Sequence, residues 1–191
     1  MPQREKEQAI ANKLLIAMPD QGGGFFEKSV VLMLEHNAQG AMGLTLTHPS
    51  DMDMHALLDN LDMPLRHAER DLSQPVMVGG PVQPDRGFIL HHGKSRWENT
   101  ARLNDALSLT VSLDFLKGVA DDRVLEEYEV YLGYAGWGAG QLEQELRNNQ
   151  WLFAEADPEL IFDLPPEARW QAAFQRLGIH SHQISRTAGH A

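Results

Sequence analysis

Glycine and proline divide the chain into short apolar runs, and this punctuation limits it to folds built from short strands and helices. Residues 29–36 and 41–47 are rich in apolar side chains and flank the turn-forming sequence 37–40. Two such runs around a short turn predict an antiparallel β-hairpin. Other runs of strand length predict strands at residues 13–19, 75–78, 87–92, 107–111, 127–132 and 151–154.

Apolar residues at helical spacing predict helices between these strands. Ser50 is predicted to cap a helix that ends at Met63-Pro64 and whose apolar stripe is Met54, Leu57, Leu58 and Leu61. Ser112 is predicted to cap a second helix, with the inward side chains Leu113, Leu116 and Val119. Two short helices are predicted near the end, from Asp157-Pro158 to Phe162 and from Pro166 to Leu177, with Gly178 as the stop.

Strand pairs with interspersed helices indicate an α+β fold with a largely antiparallel or mixed sheet, because regular βαβ winding would alternate the two element types. The length of 191 residues and the 42% apolar content fit one sizeable core. We therefore predict a flexible lead-in at residues 1–12, a single domain at 13–178 and a polar tail at 179–191.

The segment 133–146 has the most unusual composition. Its glycines at 133, 136, 138 and 140 predict a tight turn, since glycine adopts positive φ or permits close backbone approach. An amphipathic helix is predicted to follow, with Leu142 and Leu146 on its inner face. Trp137 is interpreted as a core residue beneath the turn, with stacking on a ligand as the alternative.

Composition and charge exclude several classes of function. The chain has no cysteine, which excludes disulfides, thiolate metal sites and cysteine nucleophiles. Its charged start and the lack of an apolar run of about 20 residues predict a cytoplasmic protein without a membrane span. The net charge is −11, and residues 120–167 carry 12 acids and 2 bases. Such a chain repels nucleic acid, although residues 86–102 carry a local net charge of +3.

Several familiar catalytic or metal-binding patterns are present only in part. The segment 22–29 resembles a phosphate-binding loop, but Glu27 replaces the required glycine and a strand follows Lys28-Ser29. Adjacent residues on a strand face opposite ways, which argues against paired roles for His91 with His92 and for Glu35 with His36. We interpret Asp51 and Asp53 as helix-capping acids, and the tail histidines His180, His182 and His190 as solvated. The sequence therefore predicts no metal site and no cofactor.

The alternative of a ligand-binding protein predicts a site where glycine-rich segments converge with polar side chains. Backbone N–H groups there would bind an anion. Its predicted residues are Gly79, Gly80, Arg86, His91, Gly136, Trp137 and Gln141.

Several ordered strings resemble the AlgH/YqgE-like family of uncharacterised bacterial proteins. The most specific is Gly133-Tyr-Ala-Gly-Trp137 followed by Gly140-Gln-Leu-Glu143, and others are 16–19, 40–44, 79–82, 86–88, 149–151, 161–163 and 177–178. The resemblance implies a bent, forked sheet curled into a pseudo-barrel flanked by helices. It implies no established activity and no catalytic residues, but the AlgH name implies a suspected role in regulating alginate genes. Relatives tend to have a basic residue before the proline where this chain has Thr47-His48-Pro49.

Three hypotheses about function follow. The first is a non-enzymatic binding or regulatory protein whose partner presents a basic surface to the acidic segment 120–167. The second is a small-molecule or nucleotide-binding domain, with an unrecognised enzyme as a variant of that idea. The third, direct nucleic-acid binding through residues 86–102, is disfavoured by the overall charge.

Overall fold

Ten strands and five helices form the part of the chain that the computed structural model describes, which is residues 10–19, 23–93 and 96–179. The strands are β1 (Lys13–Ala17), β2 (Val30–Asn37), β3 (Gly40–Thr45), β4 (Pro49–Asp53), β5 (Pro75–Val78), β6 (Val82–His92), β7 (Thr100–Arg102), β8 (Leu107–Thr110), β9 (Tyr128–Gly138) and β10 (Trp151–Glu155). The helices are α1 (Met54–Asn60), α2 (Leu113–Ala120), α3 (Gln141–Arg147), α4 (Pro158–Phe162) and α5 (Pro166–Arg176).

The strands form one curled, half-barrel sheet, and the fold is a single α+β domain as predicted. Its main path runs β10-β1-β2-β3-β9-β6-β8-β7, and β5 adds to β9 in parallel while pairing with β4 in the antiparallel direction. The predicted hairpin is confirmed as β2 and β3, with Val31 opposite Thr45. No helix among the described residues is long and apolar enough to cross a membrane.

Three apolar clusters stabilise the sheet, and they lie on both of its faces. The interior cluster includes Phe88 and Tyr131 and is covered by α4 and α5. A second cluster, which includes Ile89 and Val130, lies on the opposite face of β6 and β9 beneath α1 and α2. The third lies under α3 and includes Trp137. All three clusters take side chains from β9, which is therefore the central strand of the fold.

A buried ion pair holds β9 to α5 on the interior face. The guanidinium of Arg169 is 1% exposed and donates to both oxygens of Glu129 and to the carbonyl of Leu46. Tyr131 donates its hydroxyl to the same carboxylate. Burial opposes the charge on Arg169, but its hydrogen bonds with Glu129 outweigh burial and raise its pKa. Arg169 therefore keeps its charge although it is buried.

The prediction of a tight turn at residues 133–140 is wrong, because β9 continues through Gly138. Gly133 has a φ of 74° and forms a bulge, with no room for a Cβ beside the backbone of Gly80. Beyond this bulge the side-chain alternation of β9 reverses: Tyr131 faces the interior before it, and Tyr134 does so after it. The turn itself is reduced to Gly140, whose φ of 75° starts the predicted helix α3.

Two further details differ from prediction. Residues 49–53 form the unpredicted strand β4, so Ser50 caps no helix and its hydroxyl donates to the carbonyl of Val76 at 2.6 Å. Asp53 caps α1 instead, accepting from the N–H of Ala56 at 2.8 Å. Ser112 caps α2 as predicted, but Leu113 points outward and Phe115 takes its place in the core.

Candidate functional site

An apolar groove, here named the helix-flanked groove, lies on the outer face of β6 and β9. The sheet order β5-β9-β6-β8 explains it, because α1 packs beside β5 and α2 follows β8. The floor consists of Gly87, Ile89, Val130 and Leu132, and the cavity has a volume of about 260 Å³. The two helices therefore cover only part of this face, and Gly87 and Leu132 of the floor remain partly exposed.

Three large apolar side chains form the rim of this groove. Leu61, just after α1, is 36% exposed, and Val111 and Leu113, on either side of the α2 cap, are 50% and 54% exposed. Ser112 must keep an extended backbone to cap α2, and this conformation holds its two neighbours at the surface. A rim of this kind around a concave apolar floor is characteristic of an interaction surface.

The floor presents side chains, because backbone hydrogen bonds between strands lie in the plane of the sheet. β6 and β9 are paired with each other along it, with Gly87 opposite Leu132 and Ile89 opposite Val130. On their other edges, β6 pairs with β8 from Ile89 to His92 and β9 pairs with β5 at Tyr131 and Leu132. Any occupant of the groove must therefore be recognised by side-chain packing.

The charge beside the groove is acidic. Asp85 lines it, and Asp62 follows the rim residue Leu61. Neither carboxylate forms a salt bridge with any residue that the structure describes. The neighbouring Arg86 lies over the ring of Phe88, which faces the interior, so its charge is directed away from the groove. A basic group at this end would therefore be favoured.

A second concavity, here named the barrel mouth, lies where the interior of the half-barrel opens near the β2–β3 turn. Its walls include Glu35, Asn37, Met42, Val82, Tyr134 and Gly136, and its volume is about 390 Å³. A Cβ at Gly136 would lie 3.7 Å from Tyr134 and Val82, which is ordinary contact distance. The fold therefore does not require glycine at position 136, although the glycine keeps the mouth open there.

The predicted ligand-site residues are distributed over several places. Gly136 and Trp137 line the barrel mouth, although the indole of Trp137 is 5% exposed and packs beneath α3. Arg86 lies nearby, over the ring of Tyr134. Gln141 accepts a hydrogen bond from the N–H of Gly138 at 3.0 Å.

Three predicted residues lie away from the mouth cavity. Gly79 and Gly80 pack against the backbone of residues 133–135, where a Cβ would overlap it. His91 lies opposite Tyr128 on β9, eight residues before Gly136, which is about 26 Å along a strand. The seven residues therefore do not form one pocket.

Trp137 has the structural environment of a core residue. Its indole N–H donates to Glu145 at 2.8 Å, and the indole of Trp151 donates to the same oxygen at the same distance. Phe26 stacks on Trp137 with the ring centres 5.9 Å apart. The ring packs on the face opposite Gly136, as strand alternation requires.

His91 is fully buried on the outer face of β6. Its Nε2 lies 2.9 Å from the hydroxyl of Thr110, and its ring centre lies 5.0 Å from that of Phe115 on α2. Burial lowers the pKa of the imidazole. The imidazole therefore packs against α2, and burial favours its neutral form.

The other chemical candidates do not assemble into a reactive site. His36 contacts Glu143 at 2.8 Å, while Glu35 accepts from Asn37, so the two neighbours have separate partners. The described residues contain no cluster of three or more histidines, cysteines, aspartates or glutamates that could hold a metal. His180, His182, His190 and the beginning of the segment 22–29 lie outside the described residues.

Comparison with known proteins identifies the family. The AlgH-like family, a domain of unknown function designated DUF179, matches residues 14–182, and the chain belongs to it. A UPF0301 protein of Shewanella sp. strain ANA-3 is 43% identical over 186 residues, covering 96% of this chain and 100% of the relative. A UPF0301 protein of Vibrio cholerae is 45% identical over 186 residues, covering 95% and 99%.

Two solved structures share the fold. The solution structure of the AlgH protein from Pseudomonas aeruginosa is similar with a TM-score of 0.76 and 42% identity, covering 94% of this chain and 95% of that one. A crystal structure of a protein from Corynebacterium diphtheriae has a TM-score of 0.74 at 21% identity, covering 93% and 92%. The second likeness concerns the fold alone.

Reasoning from sequence missed the helix-flanked groove. The spacing of Leu113 three residues before Leu116 predicts a core position for Leu113, and Val111 falls within a predicted strand. The signal that could have identified them is the Ser112 cap, which places Val111 before α2 and Leu113 at its first position. The pairing of α1 with α2 across β9 and β6 depends on strand order, which no local pattern specifies.

Proposed function

We propose that this protein is a non-enzymatic binding module that docks a segment of a partner protein in the helix-flanked groove. The exposed rim of Leu61, Val111 and Leu113 carries the proposal. A small apolar ligand on the floor would leave this rim in water, whereas a polypeptide lying along the groove would cover it. Burial of apolar surface is the main favourable term in such association.

The location of the module is proposed to be the bacterial cytoplasm. An indirect role in gene regulation, which the resemblance to AlgH implies, would be exerted through the bound protein. Supporting this, the acidic charge of the chain disfavours direct contact with DNA.

The proposal is tested by placing a photo-crosslinking amino acid at residue 113 in cells that express the protein. The same amino acid at Leu125 serves as the control, because Leu125 is 90% exposed but lies outside the groove. We expect an adduct with one identified protein from position 113 and none with it from position 125.

The identified partner is then purified and titrated calorimetrically with three forms of the protein. Leu113→Asp is expected to weaken binding at least about tenfold, because it places a charge against the apolar segment. Leu125→Asp is expected to leave binding unchanged. A partner that binds all three forms equally, or the absence of any adduct specific to position 113, would contradict the proposal.

The barrel mouth supports a second candidate, small-molecule binding, because Gly136 keeps it open without being required by backbone or packing. Pockets at barrel mouths are common ligand sites. Filling the mouth with Gly136→Val would abolish such binding, and a metabolite library monitored by ligand-observed NMR would show it. If no compound distinguishes the variant from the wild type, this candidate is excluded.

A further inference from the structure

We infer that the partner segment is a single amphipathic α-helix with a basic residue at one end. This inference rests on the proposed docking function and specifies the partner by its chemistry. It follows from the backbone pairing, the dimensions and the charge of the helix-flanked groove.

The pairing of the floor strands favours a helix over an extended peptide. On the floor, Gly87 and Ile89 of β6 pair with Leu132 and Val130 of β9, and these backbone bonds lie in the plane of the sheet, beneath the occupant. An extended segment in this apolar groove would leave its own N–H and C=O groups without partners, which is costly. A helix satisfies these groups internally and presents side chains only.

The exposure of the lining side chains fits a helix that rests on the rim. Leu61, Val111 and Leu113 are 36%, 50% and 54% exposed, whereas Ile89 and Val130 on the floor are 4% and 1% exposed. A docked helix would lie on the three rim side chains and send single apolar side chains down towards the floor.

The length of the groove sets how many apolar side chains of the docked helix can enter it as anchors. From Asp85 to Ile89 the floor measures about 13 Å. This is about two helical turns, which provides apolar anchors at positions i, i+3 or i+4, and i+7. Asp85 at one end, with Asp62 near the rim, favours a lysine or arginine just beyond the last anchor.

Three designed peptides of about 16 residues test the inference by fluorescence anisotropy. The first has Leu at the anchor positions and lysines at one end, the second replaces those lysines by glutamates, and the third carries a central proline. We expect the basic helix to bind at least about tenfold more tightly than the other two. Asp85→Asn should weaken the basic helix severalfold and strengthen the acidic peptide, because it removes an attraction in the first case and a repulsion in the second.

The same titrations separate the inference from the proposed function. If the acidic or the proline peptide binds as tightly as the basic helix, and Leu113→Asp still abolishes binding, the helix inference is wrong and the groove remains a docking site. If Leu113→Asp alters the binding of none of the peptides, the docking function itself is contradicted. Leu125→Asp controls for general surface charge.

A second copy of this chain is the remaining occupant to test. Analytical ultracentrifugation of the wild type is expected to show no self-association that depends on Leu113. A dimer that Leu113→Asp dissociates and Leu125→Asp does not would overturn the inference, because the groove would then be covered by the protein itself.

Discussion

The helix-flanked groove and the barrel mouth lie on opposite faces of the same sheet, and β9 contributes to both. Val130 and Leu132 line the groove, whereas Tyr134 and Gly136 line the mouth. The groove is apolar with an exposed aliphatic rim, and the mouth combines glycines with polar side chains such as Glu35 and Asn37. The difference indicates that concavity alone does not define a site: the groove exposes surface that the fold has no need to expose, while the mouth is an open end of the barrel.

The largest expected loss of stability comes from releasing β9, the strand that lines both concavities, from α5. Arg169→Ala leaves the partly buried Glu129 carboxylate without its counter-charge and removes the bond to the carbonyl of Leu46. We expect a loss of about 3–5 kcal/mol in the free energy of unfolding, measured by urea denaturation. Arg123→Ala, which breaks an exposed pair with Asp121, should change it by less than about 1 kcal/mol. Equal effects would show that the buried pair does not secure β9.

The next effect distinguishes glycines required by packing from those that leave space. Gly80→Ala places a methyl group in the backbone of Tyr134, and we expect a loss of about 3 kcal/mol. Gly136→Ala has room for its Cβ and should change stability by less than about 1 kcal/mol. Chemical denaturation of both variants measures this difference. A large loss at Gly136 would mean that the mouth is open for packing reasons, which removes the support for a ligand there.

A smaller effect on stability is expected from His91, which lies on the groove side of the sheet, and it depends on pH. Burial lowers the pKa of His91 in the folded state, so the unfolded chain, with a pKa of about 6.5, binds the proton more readily. The stability contributed by neutral His91 is therefore present above that pH and is lost as the pH falls through 6.5 and below. We expect His91→Gln to show a weaker loss of stability than the wild type between about pH 7.5 and 5.5.

This comparison requires denaturation midpoints of both proteins at each pH. His48, whose pKa burial also lowers, remains in the variant, so part of the dependence should persist. Identical pH profiles would mean that His91 titrates normally and that α2 tolerates its protonation.

The smallest expected effect is on stability at the rim of the groove. Leu113→Ser removes an apolar side chain that is 54% exposed, and we expect a change within about 0.5 kcal/mol. The same substitution at Leu116, which is buried beneath it, should cost at least about 2 kcal/mol. Thermal unfolding of the two variants checks this contrast. A substantial loss at Leu113 would show that this residue supports the fold and is not kept for a partner.

Local pattern predicted most of the elements, because strand and helix periodicity depends on neighbours in sequence. The hairpin of β2 and β3, the Ser112 cap and the helix after Gly140 were all predicted correctly. The strand β4 was missed because Ser50 is both a good cap and, as the structure shows, a partner for the carbonyl of Val76. Its true role depends on β5, which lies more than twenty residues away.

The candidate site was less predictable than the fold. The pairing of β9 with β5 and β6 brings α1 and α2 to the same face of the sheet. Such long-range pairing leaves no local pattern in the sequence. The glycines of 133–140 suggested a turn because glycine permits both turns and close strand approach. Only the contact of Gly133 with Gly80 decides between these uses.

The bulge at Gly133 also restricts how the length of β9 can vary. Inserting one residue directly after Gly133, with the bulge kept, would turn every following side chain of β9 to the other face. The indole of Trp137 would then point into the barrel, and Tyr134 would point outward. Substitutions before or after Gly133 affect one face at a time, but such an insertion would rearrange the walls of the mouth and the packing of α3 together. We therefore expect the number of residues between Gly133 and Trp137 to be fixed by the fold even where their identities are free.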